Sequence, residues 1–355
     1  MIFPTQNAPI VKKPFLRRFT FIAGIILLTI TSAGCRSTLP SGCPKDCVGV
    51  NLSGANLSRR DLSEATLIDA NLGKAKLIQT NLSKADLRGA RLEESNLEGA
   101  DLSQALLIGV NMNLTNLRNS ILSGADLSGS DMNNAKLTSV DLTKTRLQGV
   151  SLKNAELIGS ILSGVDLGGV EMINANLSGA NLNQADMNGT VMSTADMSGV
   201  SARDAKMSGI WGSLAKLVGA DLTNANLNGS ILFGADFTGA TLNGAKLNGA
   251  MLVGSNLSGA DLRGADLSGA LLVLPKPPGA GPDFTYDTLK GQNLLVALGN
   301  TAISKALLDP LVFDLPESRL RPLLKDTVLQ GVRYNDQTIW PLGFEIPDSA
   351  IYSPD

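Results

Sequence analysis

The sequence predicts a solenoid of stacked short sides over residues 50–274. Three observations predict it. A leucine-like residue recurs at every fifth position from Leu52 to Leu272, giving 45 positions with no insertion or deletion, and Leu fills 35 of them. Two residues earlier the chain carries Ala, Ser, Thr or Val in 43 of the 45 repeats, Arg60 and Ile210 being the exceptions. Between these two positions stands Asp or Asn in 24 of 45.

A period of five excludes the regular alternatives. On an α-helix a residue every five positions walks round the axis and forms no stripe. On a continuous strand an odd period sends successive leucines to opposite faces. The chain must therefore turn once per repeat. Residues two apart share one face of an extended segment, so the small residue and the leucine both point inward. One such side buries too little alone, so many sides must stack.

The units Ala55-Asn56-Leu57-Ser58-Arg59, Ala85-Asp86-Leu87-Arg88-Gly89 and Ala260-Asp261-Leu262-Arg263-Gly264 resemble the A-(D/N)-L-x-x unit of the pentapeptide repeat family. The resemblance implies an all-β, right-handed, four-sided parallel β-helix with one pentapeptide per side. Forty-five repeats then make about eleven coils, a rod ~50 Å long. Family resemblance implies a scaffold; it does not imply one function.

Within the array, Met replaces Leu seven times and Phe237 once, and only Ala202 and Gly212 depart from the pattern. Met112, Met132, Met172 and Met192 fall in one column below Gly212, beside which Ile210 takes the usual small position. A large Ile next to Gly reads as an exchange of volume. Glycine becomes frequent at the last position of the repeat, from Gly229 to Gly269, where a type II turn needs positive φ.

Grouping the repeats in fours, one per side, assigns each of them to one of four faces. Face one changes character toward its end. Val191, Trp211, Ile231, Phe233, Met251, Val253, Leu271 and Val273 form one apolar outer stripe, too continuous to leave wet. This stripe is the candidate interface. The chain's own C-terminal tail is expected to cover it, with a homodimer through face one or a protein or membrane partner as alternatives.

The array is preceded by residues 1–34, a targeting segment. Lys12, Lys13, Arg17 and Arg18 lead into the uncharged apolar run Phe19–Gly34, which has 16 residues where a spanning helix needs about 20. It resembles a secretory signal. Ser32-Ala33-Gly34-Cys35 resembles a bacterial lipobox, which implies lipidation of Cys35 and cleavage after Gly34; an uncleaved signal anchor is the alternative. Either way the array is expected in the bacterial cell envelope, membrane-anchored on the extracytoplasmic side. Residues 35–49 are read as a tether. Its Cys43 and Cys47 form a disulfide or remain thiols. Metal binding would want four ligands, and the chain has no His.

After the array, residues 275–282 form a Pro/Gly linker and residues 283–355 a different tail. Leu294–Leu308 reads as an apolar helix closed by Asp309-Pro310. Tyr334–Pro341 is similar to a segment that closes arrays of this family.

The absence of His excludes Ser–His and Cys–His nucleophilic sites. There is no GxxxxGK[ST] phosphate loop, and paired carboxylates such as Asp261 and Asp266 read as solvated surface or turn residues. No catalytic, cofactor-binding or metal site is assigned. The function class that remains is a membrane-anchored, extracytoplasmic, non-catalytic scaffold or protein-binding module, with no nucleic-acid partner. One alternative is a DNA mimic acting on a topoisomerase, which needs a strongly acidic rod, whereas the array carries 17 basic and 21 acidic residues. The other is an enzyme with an unrecognised site in the tail.

Overall fold

The computed structural model describes residues 45–273 and 316–354. The contacts divide the chain into two compact units, Met1–Gly34 and Cys35–Asp355. The targeting run, Cys35, Cys43, the linker 275–282 and the apolar stretch Leu294–Leu308 lie outside the described residues.

The array is a parallel β-helix. Bridges join residues 20 apart in four ladders, which begin Asn51↔Asn71, Asn56↔Lys76, Asp61↔Asn81 and Thr66↔Asp86, all parallel. We number the ladders one to four in that order. In each, the N–H of the leucine-like residue donates to a carbonyl one turn ahead, as from Leu52 to Asn71 at 2.7 Å. The N–H of the residue before it donates one turn back, as from Asn71 to Val50 at 2.8 Å. The bonds are evenly spaced, as parallel pairing requires.

Almost every corner is closed by a local bond. The N–H three residues after the leucine donates to the leucine carbonyl, as from Ala55 to Leu52 at 3.0 Å. The last residue of the pentapeptide sits in the left-handed region, with φ of 67° at Gly54. Glycine suits this corner, yet Arg59, Lys74 and Leu114 hold φ of 59° too. The stacked neighbours impose the turn on residues that disfavour it. The Asp or Asn of the repeat contributes here as well: its side-chain oxygen accepts a backbone N–H two residues on, as at Asn81 and Ser83, 3.0 Å.

The inward phase is as expected. Leu and Met at the fifth positions are buried along the whole rod, as are the small residues two before them from Ala55 on. Buried hydroxyls there bond to the core-facing backbone. Thr80 Oγ1 donates to the Leu57 carbonyl at 2.9 Å, and Thr190 Oγ1 to that of Leu167 at 2.9 Å. A Cβ at Gly212 would lie 3.2 Å from a Leu232 methyl and 3.8 Å from Ile210 Cδ1, so those side chains fill the missing volume.

One stretch departs from the ladder. No bridge forms between Ile121 and Asp141 or between Arg146 and Asp166, and Gly124 N–H donates to the Lys144 carbonyl at 3.2 Å instead of to that of Thr143. Lys144 is the described corner of the array without positive φ. Val140, Thr145, Val150, Val165 and Val170 fill the small positions here.

The ladder extends beyond residues 50–274 at both ends. Cys47 stands five residues before Leu52, is 3% exposed, and its N–H donates to the Thr66 carbonyl. At the other end the chain returns to the helix. Bridges Asn256↔Val328, Asp261↔Arg333 and Asp266↔Ile339 continue ladders two, three and four. Leu329, Tyr334 and Trp340 therefore stand above Leu257, Leu262 and Leu267. β1 (Arg333–Tyr334) then pairs in parallel with β2 (Ile351–Tyr352), one level further on. Ahead of this coil comes one helical turn, α1 (Glu317–Leu320), and a 3-10 turn, Arg321–Leu323.

Candidate interaction surface

The apolar stripe is not uniformly exposed. Phe233 and Val253 are fully buried, Ile231 and Met251 are 8% and 7% exposed, and Val191, Trp211 and Leu271 are half-buried. Val273, at the end, is 46% exposed. The same burial takes in Ser193 and Ser213, and the Ser213 hydroxyl has no hydrogen-bond partner.

Leu323 lies against this surface. A Cβ on Gly234 would be 3.1 Å from Leu323 Cδ2 and 3.0 Å from Leu214 Cδ2, and one on Gly254 would collide with the Leu323 carbonyl oxygen. Positive φ favours glycine at both positions, and at Gly254 the close approach of the Leu323 backbone requires it.

The second surface is the C-terminal end of the rod. Tyr334 meets Trp340 and Tyr352 edge-on, with ring centroids 5.8 and 5.5 Å apart, and Trp340 stacks on Phe344 at 5.5 Å. These aromatic rings close the leucine core with more area than Leu offers. Beside them a cleft of about 570 Å³ lies between Leu271–Val273, Val328 and the loop Pro341–Glu345. Leu342 is fully exposed on its rim.

Asp261, read as a solvated surface or turn residue, is a turn residue whose carboxylate accepts the Arg263 N–H at 3.3 Å, but it is buried rather than solvated, 3% exposed. The returning coil covers it. Arg263 holds it in a two-pronged ion pair at 2.9 and 2.8 Å, and Arg333 reaches it at 3.2 Å. Burial, the largest single influence, pushes its carboxyl up. The hydrogen bonds of Arg263 and the charges of Arg333 and Arg263 together outweigh it and hold the carboxyl below its ordinary value. A carboxyl with a depressed folded pKa stabilises the fold above the unfolded value near 4, and that contribution fades as pH falls through the folded value. The stability difference between wild type and Asp261→Asn should therefore shrink on acidification below about pH 4. Denaturant midpoints measured from pH 7 to 2 test it; a pH-independent difference would refute the ion-pair role.

Cys47 is disulfide-bonded, and its partner lies outside the described residues. Among the described residues no group of His, Cys, Asp and Glu could hold a metal ion, and no helix is long and apolar enough to cross a membrane.

Sequence reasoning anticipated the closing segment Tyr334–Pro341 but missed the two receiving glycines and the part of the returning coil before it, from Thr327. For the coil a signal existed: Thr327-Val328-Leu329-Gln330-Gly331 has the form of a pentapeptide, and Cys47 falls on the five-residue phase.

The family comparison agrees with this geometry. The family model for pentapeptide repeats matches in eight copies, over residues 46–83, 85–124, 95–134, 135–172, 171–209, 215–244 and 230–269. No curated protein matches the chain. Among solved structures, the pentapeptide repeat protein Rfr23 from the cyanobacterium Cyanothece 51142 is 37% identical over 31% of this chain and 89% of its own, with a TM-score of 0.31. QnrB1, a plasmid-mediated fluoroquinolone resistance protein, is 16% identical over 61% of this chain and 88% of its own, TM-score 0.29. A pentapeptide repeat protein of the Arabidopsis thaliana thylakoid lumen is 26% identical over 38% and 66%, TM-score 0.12. The family model spans more than half of the sequence, and the chain belongs to the pentapeptide repeat family.

Proposed function

We propose that this protein is a non-catalytic scaffold or protein-binding module of the bacterial cell envelope, anchored to the membrane through its N-terminus on the extracytoplasmic side. The rod is read as a right-handed, four-sided helix of about eleven coils, ~50 Å long. The observation that carries the location is the disulfide-bonded Cys47 at the head of the rod. Disulfides persist in oxidising compartments, where an exported chain would meet them. The basic start, the apolar run and the small residues before Cys35 support the same location from sequence. The scaffold reading rests on how the repeat uses its polar groups. Asp and Asn side chains accept backbone N–H groups at the corners, as at Asp236 and Thr238, 3.0 Å. Those carboxylates and amides hold the turn, so partner recognition falls to the outward residues that vary.

Mass spectrometry of the mature N-terminus tests the anchor. Diacylglycerol on Cys35 as the first residue is expected, with Cys43 as the disulfide partner of Cys47. Acyl chains contribute about 0.8 kcal/mol per buried CH₂, so more than one makes the anchoring stable. Retention of residues 1–34, or a Cys35→Ala protein cut normally and released, would overturn it.

A further inference from the structure

The last corner of ladder one is made by residues far apart in sequence. In the other corners, Met207–Ile210 excepted, the leucine-like residue's carbonyl accepts the N–H three residues on. Here Leu272 accepts the N–H of Thr327 at 2.8 Å, and its Oγ1 at 2.8 Å, 55 residues on. The Gly254 N–H, which by the repeat should donate to residue 273, donates to Lys325 at 2.8 Å. Lys325 thus stands in for residue 273 and Thr327 for residue 275, the same displacement in both cases. The helix therefore resumes in phase, and Leu329 takes the place a leucine would hold five residues after Leu272.

We propose that residues 274–325 are an in-phase insertion at one corner of the β-helix, and that the returning end, Pro316–Leu323, is the built-in occupant of an apolar docking groove on ladder one. The groove is floored by Ile231, Phe233, Met251 and Val253 and walled by Leu214. Leu214 sits in a corner at φ 61°, a conformation a bulky residue adopts at a cost. Gly234 and Gly254 let the incoming backbone reach the floor. The occupant presents Leu320, 3% exposed, and Leu323, three residues on and therefore on the same side of a helical turn, while Ser318, Arg319 and Pro322 face solvent. So short a segment does not hold a helical turn in water unaided. The groove orders the segment, and the segment shields the groove. Its specificity is for a short turn with leucines three apart.

Two variants test this. Gly254→Ala and Gly249→Ala each add a Cβ at a left-handed corner, φ 73° and 65°, but only Gly254 meets Leu323; nothing lies within 4 Å at Gly249. In the full chain, trypsin cleavage after Arg319 should quicken at least about tenfold in Gly254→Ala and stay near wild type in Gly249→Ala. Equal rates in the two variants overturn the docking. Excision of 274–325, joining Val273 to Asp326, should leave a cooperatively folding rod that binds a hydrophobic dye along the uncovered groove. An excised chain that fails to fold overturns the in-phase insertion. A folded, dye-silent dimer would make a second copy the occupant and overturn the assignment in cis.

Discussion

Replacing Phe237 by alanine is expected to cost about 3–5 kcal/mol. Phe237 is the largest inward residue of the array and is fully buried, held between the turns of Leu217 and Leu257. The core cannot collapse round the loss, because both neighbouring turns are pinned by ladder bonds at 2.7–2.9 Å. The cavity therefore stays open and the lost contacts are not replaced. The exposed Lys246, two repeats along, is the matched control: Lys246→Ala should stay within about 0.5 kcal/mol of wild type. Urea unfolding followed by circular dichroism measures both. Similar losses in the two variants would refute the inward phase of the repeat.

Ending the chain at Lys325 is expected to be as damaging, for a different reason. It removes the coil that carries Leu329, Tyr334 and Trp340, and uncovers Leu257, Leu262 and Leu267. Each leucine brought back to water costs roughly 1.5–3 kcal/mol. It also breaks the bonds from Leu257 to Val328, Leu262 to Arg333 and Leu267 to Ile339, leaving an open strand edge. Open edges pair with other chains. Size-exclusion chromatography with light scattering should show self-association of the truncated protein. A monomer with an unchanged melting temperature would mean that the returning coil contributes nothing to closure. The in-phase excision of 274–325 is the informative partner, since it shortens the chain and keeps this coil.

How much is legible differs along the chain. The inward phase is readable everywhere from Leu52 to Leu272, because side-chain size is tied to position by a core with no room for error. The turn at each corner is readable where glycine marks it. At Arg59, Lys74 and Leu114 it is not, since the corner there comes from stacked neighbours and not from the residue. The burial of Asp261 is not legible either, because it depends on Arg333 in the returning coil, and no local pattern carries that.

The last part of the chain shows the division most clearly. The period, the inward pair, the apolar stripe from Val191 to Val273 and the family are all written in the order of residues. Each of these is a short-range regularity repeated many times, and repetition averages out individual exceptions. The folded chain alone shows that the ladder reaches back to Cys47, that the closing coil starts at Thr327, and that Gly234 and Gly254 receive Leu323. These are single, long-range contacts. The loop-closure entropy they oppose rises only slowly with loop length. The chain can therefore interpose a long segment between Leu272 and Thr327 and still complete the same hydrogen bond.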